Sequence, residues 1–180
     1  MHPEARAGLD RMIDHVGIDR QYPYRCLDLG GRDINGGIRD LIPNGKWQGV
    51  DIEAGPGVDL VRDCTMGWLD TLPRFDIVVC TEVLEHVEKW RDILRTCAQA
   101  LDTMGSQLLF VTAASTGRRA HGASGAMDPA PGEWYRNVPA EDVAEELGHL
   151  FNNSGAEYNP VPGDVYAWAT LPRWGVVNGE

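Results

Sequence analysis

An α/β fold, a doubly wound and mostly parallel seven-stranded sheet closed by an antiparallel hairpin, is predicted by three observations. First, strand-like and helix-like segments alternate through five strands, and alternation of this kind builds a parallel sheet with helices on both faces. Second, runs such as Ile77-Val78-Val79-Cys80 are apolar without interruption, as strands buried on both faces are. Third, Pro162-Gly163-Asp164 separates the last two apolar segments, and that trio signals a hairpin turn.

The elements follow in order. Leu9, Ile13 and Val16 recur at helical spacing over residues 3–16, with Gly17 placed to cap the end. Residues 25–30 read as the first strand, followed by the glycine-rich turn 30–37 and a short helix over 38–42 stopped by Pro43. Residues 47–52 and 59–62 read as the second and third strands, 68–72 as one helical turn, and 75–80 as the fourth strand. A helix over 88–101 places Trp90, Ile93, Leu94, Cys97 and Leu101 on one face. Residues 107–113 form the fifth strand, and a long irregular segment over 114–138 follows. Pro139 takes the first helical position of a last helix whose stripe is Val143, Leu147, Leu150 and Phe151. Strands over 156–161 and 165–171 complete the chain.

Length and composition bound the rest. The 180 residues are read as one domain, 1–180, with an N-terminal helical segment over 1–24, large enough to bury a core without disulfides. No apolar run approaches the roughly 20 residues that span a bilayer, and the N-terminus lacks a signal-peptide layout. The expectation is a cytoplasmic protein. A formal net charge of -11 argues against a partner held by its phosphates, DNA or RNA. Cys26, Cys64, Cys80 and Cys97 show neither a C-x-x-C pair nor metal-ligand spacing, so they read as reduced, buried hydrophobes and no metal is expected.

Chemistry gathers at the C-terminal ends of the parallel strands, where open α/β sheets bind ligands. The first strand ends Asp28-Leu29-Gly30-Gly31, whose glycines let backbone approach a ligand closely. The second ends at Asp51, 20 residues beyond Gly31, where a carboxylate can accept both ribose hydroxyls of an adenosine. The third ends Asp63-Cys64, a carboxylate for an exocyclic amine beside a small residue for the ring. Asp51 and Asp63 could each be turn or cap residues alone. Three carboxylates at successive strand ends, without a phosphate-binding lysine, fit a cationic adenosine ligand that carries no phosphates.

Three segments carry a resemblance: Leu27-Asp28-Leu29-Gly30-Gly31, Gly49-Val50-Asp51-Ile52 and Thr81-Glu82-Val83-Leu84-Glu85-His86-Val87. Over residues 25–171 the chain resembles the class I S-adenosylmethionine-dependent methyltransferases of the type-11 group, whose Rossmann-like sheet ends with an antiparallel seventh strand beside the fifth. The resemblance implies S-adenosylmethionine as cofactor and S-adenosylhomocysteine as product. Gly30 and Gly31 would line the methionine part, Asp51 the ribose, Asp63 and Cys64 the adenine, and Thr81 and Glu82 the sulfonium and its carboxylate, with Asn35 and Ile52 as further cofactor-site residues. One departure is plain: Arg32 and Ile34 stand where the family usually has glycines, and Arg32 could reach the methionine carboxylate.

The acceptor side is assigned to residues 114–138, since loops of this length are usually functional or disordered. Arg118, Arg119, Arg136, Trp134 and Tyr135 suggest a lid for an anionic or planar acceptor, or else a solvated loop. His86, His121 and Tyr135 are the base candidates; His86 either faces the acceptor or holds the following helix start. No Asn/Asp-Pro-Pro-aromatic motif follows the fourth strand, so a small molecule is favoured over a nucleic acid. Little chain precedes the first strand, which implies an open acceptor site or one completed by a second copy in a homodimer. The rival readings are a cofactor-binding regulatory or interaction module without turnover, and a nicotinamide oxidoreductase. The latter calls for a regular G-x-G-x-x-G turn that the chain lacks.

Overall fold

The computed structural model describes residues 2–68 and 70–179. The strands are β1 (Arg25–Leu29), β2 (Lys46–Asp51), β3 (Leu60–Val61), β4 (Ile77–Thr81), β5 (Leu108–Ala114), β6 (Phe151–Asn159) and β7 (Asp164–Pro172). They form one sheet in the order β3-β2-β1-β4-β5-β7-β6. The first five are parallel, and β7 runs antiparallel to both β5 and β6. The predicted mixed sheet is therefore the observed one.

The helices are α1 (Pro3–Val16), α2 (Trp90–Ala100), α3 (Ala140–Leu150) and the short α4 (Trp174–Asn178). Alternation along the strands divides the core between two faces. Leu27 and Leu29 of β1, Val78 and Cys80 of β4, and Leu109 and Val111 of β5 pack with α2 and α3. Cys26, Ile77, Val79, Leu108 and Phe110 point the other way, against Leu9, Met12 and Ile13 of α1. The chain runs outward from β1 to β3 and then returns to β4 beside β1. That reversal opens a crevice at the strand ends.

Several local expectations are corrected. The helix predicted over 38–42 is a single 3-10 turn, Arg39–Leu41, because Pro43 lies too close for an α-helical repeat to form. The helical turn predicted over 68–72 lies earlier, at Cys64–Met66. Asp63 caps it by accepting from Thr65 N at 2.9 Å, and Gly67, at φ 77°, ends it. Trp68 is instead tied by its backbone N–H to Gln99 Oε1 at 2.9 Å; Leu69, within that predicted turn, is outside the described residues. The helix predicted from residue 88 begins at Trp90, after a 3-10 turn over Leu84–His86.

Pro139 is the N-cap of α3, one place before its predicted position. Strand β6 starts at Phe151, five residues early and directly from α3. Asn152, Asn153 and Gly155 are poor strand formers, so only pairing with β7 makes this segment extended. Phe151 therefore belongs to the strand, though it is fully buried as predicted.

Candidate active site

The C-terminal ends of β1, β2 and β4 border a cleft of about 900 Å³, the size of a typical ligand site. Gly30, on its lining, closely approaches Val83. The glycine has φ +77°, and a Cβ there would stand 2.1 Å from Val83 Cγ2. At Gly31 a Cβ would meet the Asp28 carbonyl oxygen at 2.6 Å. Both glycine N–H groups donate to the Val50 carbonyl, at 2.8 and 3.1 Å, which folds the turn back over β2.

Asp28, Gly30, Gly31, Arg32, Asn35, Asp51, Ile52, Asp63, Cys64, Thr81 and Glu82 all border this cleft. Asp28 is only 6% exposed; burial pushes its carboxyl up to about 6, against the pull of Arg39 3.7 Å away. Asp51 accepts from Arg32 N at 3.2 Å and from Glu53 N at 3.0 Å. A carboxylate offers about four acceptor positions, so these two bonds leave capacity toward the cleft. Ile52 is 66% exposed at the cleft wall. Asp63 uses Oδ1 for Thr65 N and Thr65 Oγ1, and these bonds hold its carboxyl below the usual range.

Arg32 lines the cleft, and its guanidinium pairs with Glu53, just beyond β2. Glu82 stands at the other side of the glycine turn in the left-handed region, φ 56°, a conformation that costs energy for a side chain of this type. The Glu82 N–H bond to the Thr112 carbonyl (2.8 Å) and the Thr112 Oγ1 bond to Glu82 Oε1 (3.1 Å) hold it there. His2, at the start of α1, approaches Glu82 Oε2 and Asp164 Oδ2, both at 3.2 Å. Burial opposes its charged form, but Asp164 and Glu82 outweigh that and raise His2 to about 10.

The three base candidates meet in one cluster. His86, His121 and Tyr135 stack edge to face, with ring centroids 5.0 to 5.3 Å apart. Both histidines border the cleft. His86 Nδ1 is buried without a hydrogen-bond partner among the described residues, so of its two predicted roles the geometry favours facing the cleft. Burial, reinforced by His121, lowers His86 to about 4. The Tyr135 hydroxyl donates to Asn137 Oδ1 at 2.9 Å, and burial raises it above the ordinary tyrosine value. That arrangement suits a structural hydroxyl better than a base.

Beneath the rings lies Glu85, which is fully buried. Its Oε1 accepts from Ala114 N at 3.1 Å and lies 3.9 Å from His121 Nε2; its Oε2 has no partner among the described residues. One ligand-type atom each from Glu85, His86 and His121 lies within 4.8 Å of the others. Glu85 and His2 were missed by sequence reasoning. Glu85 stood in a quoted motif, and its burial depends on β5 and on residues 135–138, far along the chain.

The segment 115–138 is held by bonds within itself and to Glu85 and Asp164. Glu133 accepts from Ala123 N and, at 2.7 Å, from Ala130 N. Arg136 N donates to the Glu85 carbonyl at 2.8 Å. Two of the arginines expected to meet an anion are already paired: Arg118 with Asp164 at 2.9 Å and Arg119 with Asp128 at 3.1 Å. The predicted anion-receiving lid is therefore largely neutralised from within.

Residues 2–158 match the family described as a methyltransferase domain. Over 109 residues the chain is 28% identical to the mitochondrial ubiquinone biosynthesis O-methyltransferase of Saccharomyces cerevisiae. That match covers 48% of this chain and 33% of the yeast protein, so the chain spans about a third of the length of the curated relative it matches. Among solved structures, magnesium protoporphyrin IX methyltransferase from Synechocystis, with bound S-adenosylhomocysteine, superposes with a TM-score of 0.60 at 15% identity, covering 93% of this chain and 82% of that one. The 1,6-didemethyltoxoflavin-N1-methyltransferase of Burkholderia thailandensis, bound to 1,6-didemethyltoxoflavin and S-adenosylhomocysteine, superposes with a TM-score of 0.59 at 20% identity, covering 94% and 76%. At these identities the likeness is one of fold. The chain belongs to the methyltransferase-domain family, a class I S-adenosylmethionine-dependent family.

Proposed function

We propose that this family member transfers a methyl group from S-adenosylmethionine to a small-molecule acceptor by in-line displacement. The observation that carries the reading is that three strand-end carboxylates border one cleft together with Thr81, Glu82, Val83 and His86. The close-approach glycines and the acidic, lysine-free wall fit a cationic adenosine ligand without phosphates. The cofactor supplies a methyl carbon already activated by its sulfonium.

In this reading Asp51 uses its remaining acceptor capacity for the ribose hydroxyls. Ile52 and Cys64 flank the adenine, and Asp63 accepts its amino group through the oxygen not engaged by Thr65. The Gly30-Gly31 backbone runs along the methionine part, with Asp28, Asn35, Thr81 and Glu82 around it; Arg32 braces Asp51 through its backbone. The protein's main task is to hold the acceptor in line, because positioning supplies much of the barrier reduction. A base is needed only where the acceptor must lose a proton, and the His86 and His121 side of the cleft is where that help would come from.

Support for a small acceptor comes from the net charge of -11, which disfavours polyanions, and from a cleft of about 900 Å³, within the range of small-ligand sites. Enzymatic turnover is favoured over a purely regulatory role by the two imidazoles, His86 and His121, on the cleft's border. S-adenosylhomocysteine at a hundredfold excess over its Kd should stabilise the chain by about 2.7 kcal/mol, seen as a raised Tm, and Asp51→Ala should remove the shift. No shift at millimolar ligand, together with a shift from NADH, would defeat this reading.

A further inference from the structure

We infer that Glu85, His86 and His121 form a site for one divalent transition-metal ion, of the zinc class, at the acceptor end of the cleft. Two imidazoles and one carboxylate are a donor set that zinc and its neighbours take, whereas magnesium and calcium prefer oxygen alone. The three candidate ligand atoms already lie within 4.8 Å of one another. Small side-chain rotations would bring them to the separation of about 3.3 Å that tetrahedral ligands at zinc distances have.

Two independent observations point to a missing ligand. Glu85 Oε2 and His86 Nδ1 are both buried with no hydrogen-bond partner among the described residues, and such atoms require an explanation. Glu85 is 0% exposed, so water cannot satisfy it from the surface. Then there is the orientation of His121. Its Nδ1 lies 3.2 Å from the Arg119 carbonyl oxygen, which can only accept. Nδ1 is therefore used as a donor, which leaves Nε2, 3.9 Å from Glu85 Oε1, as the nitrogen open to a metal. Metal-binding histidines are commonly fixed by this kind of donation to a carbonyl.

Three protein ligands leave an open position, as catalytic zinc sites do. His86 and His121 border the cleft while Glu85 lies behind them, so that position faces the acceptor. Resting on the methyl-transfer reading, the acceptor atom is then a hydroxyl oxygen. Bound to the metal, the hydroxyl loses its proton to solvent more readily. The oxygen lone pair forms the new O–CH3 bond as the S–CH3 bond breaks, and that bond's electron pair stays on sulfur as the neutral thioether.

The test uses the untagged full chain, freed of metal with a chelator and titrated with Co2+ while visible absorption is read. One equivalent should bind and give d–d bands, Zn2+ should displace it, and excess Mg2+ should not. His121→Ala, in a loop, should weaken Co2+ binding at least tenfold while keeping the Tm rise from S-adenosylhomocysteine; His149→Ala, on the exposed face of α3, should bind Co2+ as the parent does. Acetohydroxamate, a chelator with two oxygen donors, should shift the Co2+ bands. Absence of saturable Co2+ binding, or binding untouched by His121→Ala, overturns the site even if S-adenosylhomocysteine still binds. Unshifted bands with acetohydroxamate overturn the hydroxyl assignment. Loss of the S-adenosylhomocysteine response in the parent chain instead defeats the methyl-transfer reading and leaves the Co2+ result standing.

Discussion

The two ends of the cleft are built differently. At the end assigned to the cofactor, the ligand-facing groups sit at the tips of β1, β2 and β3 and are held mainly by backbone: Gly30 and Gly31 on Val50, and Asp51 on the N–H groups of Arg32 and Glu53. At the end assigned to the acceptor, side chains from β4's tip and from residues 115–138 meet one another, with buried atoms left without a hydrogen bond among the described residues. A backbone-built site is fixed by the sheet itself. A side-chain-built site depends on a long connection closing correctly, and is free to change chemistry without disturbing the sheet.

The contrast predicts a graded response to substitution. The largest effect should come from Gly30→Ala, which combines a left-handed φ with a collision at Val83. A loss of about 3 kcal/mol is expected from strain plus overpacking, read by urea denaturation; a loss below 1 kcal/mol would show the turn to be less rigid than described. His2→Gln comes next. Folded His2 keeps its proton to about pH 10, against its ordinary 6.5. Its contribution is therefore whole below pH 6.5 and is lost as pH rises toward 10. The variant should be less stable than the parent by about 1 kcal/mol at pH 6, the scale of a partly screened ion pair, and equal to it above pH 10. A gap that stays constant across that range would break the assignment.

The smallest global effect should come from Glu133→Ala. Its carboxylate ties Ala123 and Ala130, so amide hydrogen exchange across 119–130 should quicken while overall stability changes by less than about 1 kcal/mol. If β1 to β4 exchange faster as well, the two ends are more strongly coupled than their construction implies.

What sequence could convey follows the same division. Strand ends announce themselves locally: an apolar run stops, and Asp28, Asp51 or Glu82 follows. The mostly parallel sheet and its terminal hairpin were legible on that basis, as were the strand-end residues that border the cleft. The route of 115–138 was not, because Gly-, Ala- and Pro-rich sequence carries no periodicity. Its course is set by Glu133, by Asn137, which donates to the Arg118 carbonyl, and by Arg136 on the Glu85 carbonyl. For the same reason His86, His121 and Tyr135 could be nominated separately but not placed together. Glu85 was hidden by type, since a glutamate in a charged run reads as solvated until β5 covers it. The start of β6 was hidden by asparagines that only β7 makes extended.

The contact between Gly30 and Val83 reaches beyond this one chain. It locks the turn after β1 to the turn after β4, two segments more than fifty residues apart in sequence. Among relatives these two positions should therefore drift as a pair. A residue larger than glycine at position 30 should appear only alongside one smaller than valine at position 83, so co-variation between them would trace the floor of the cleft in any aligned set.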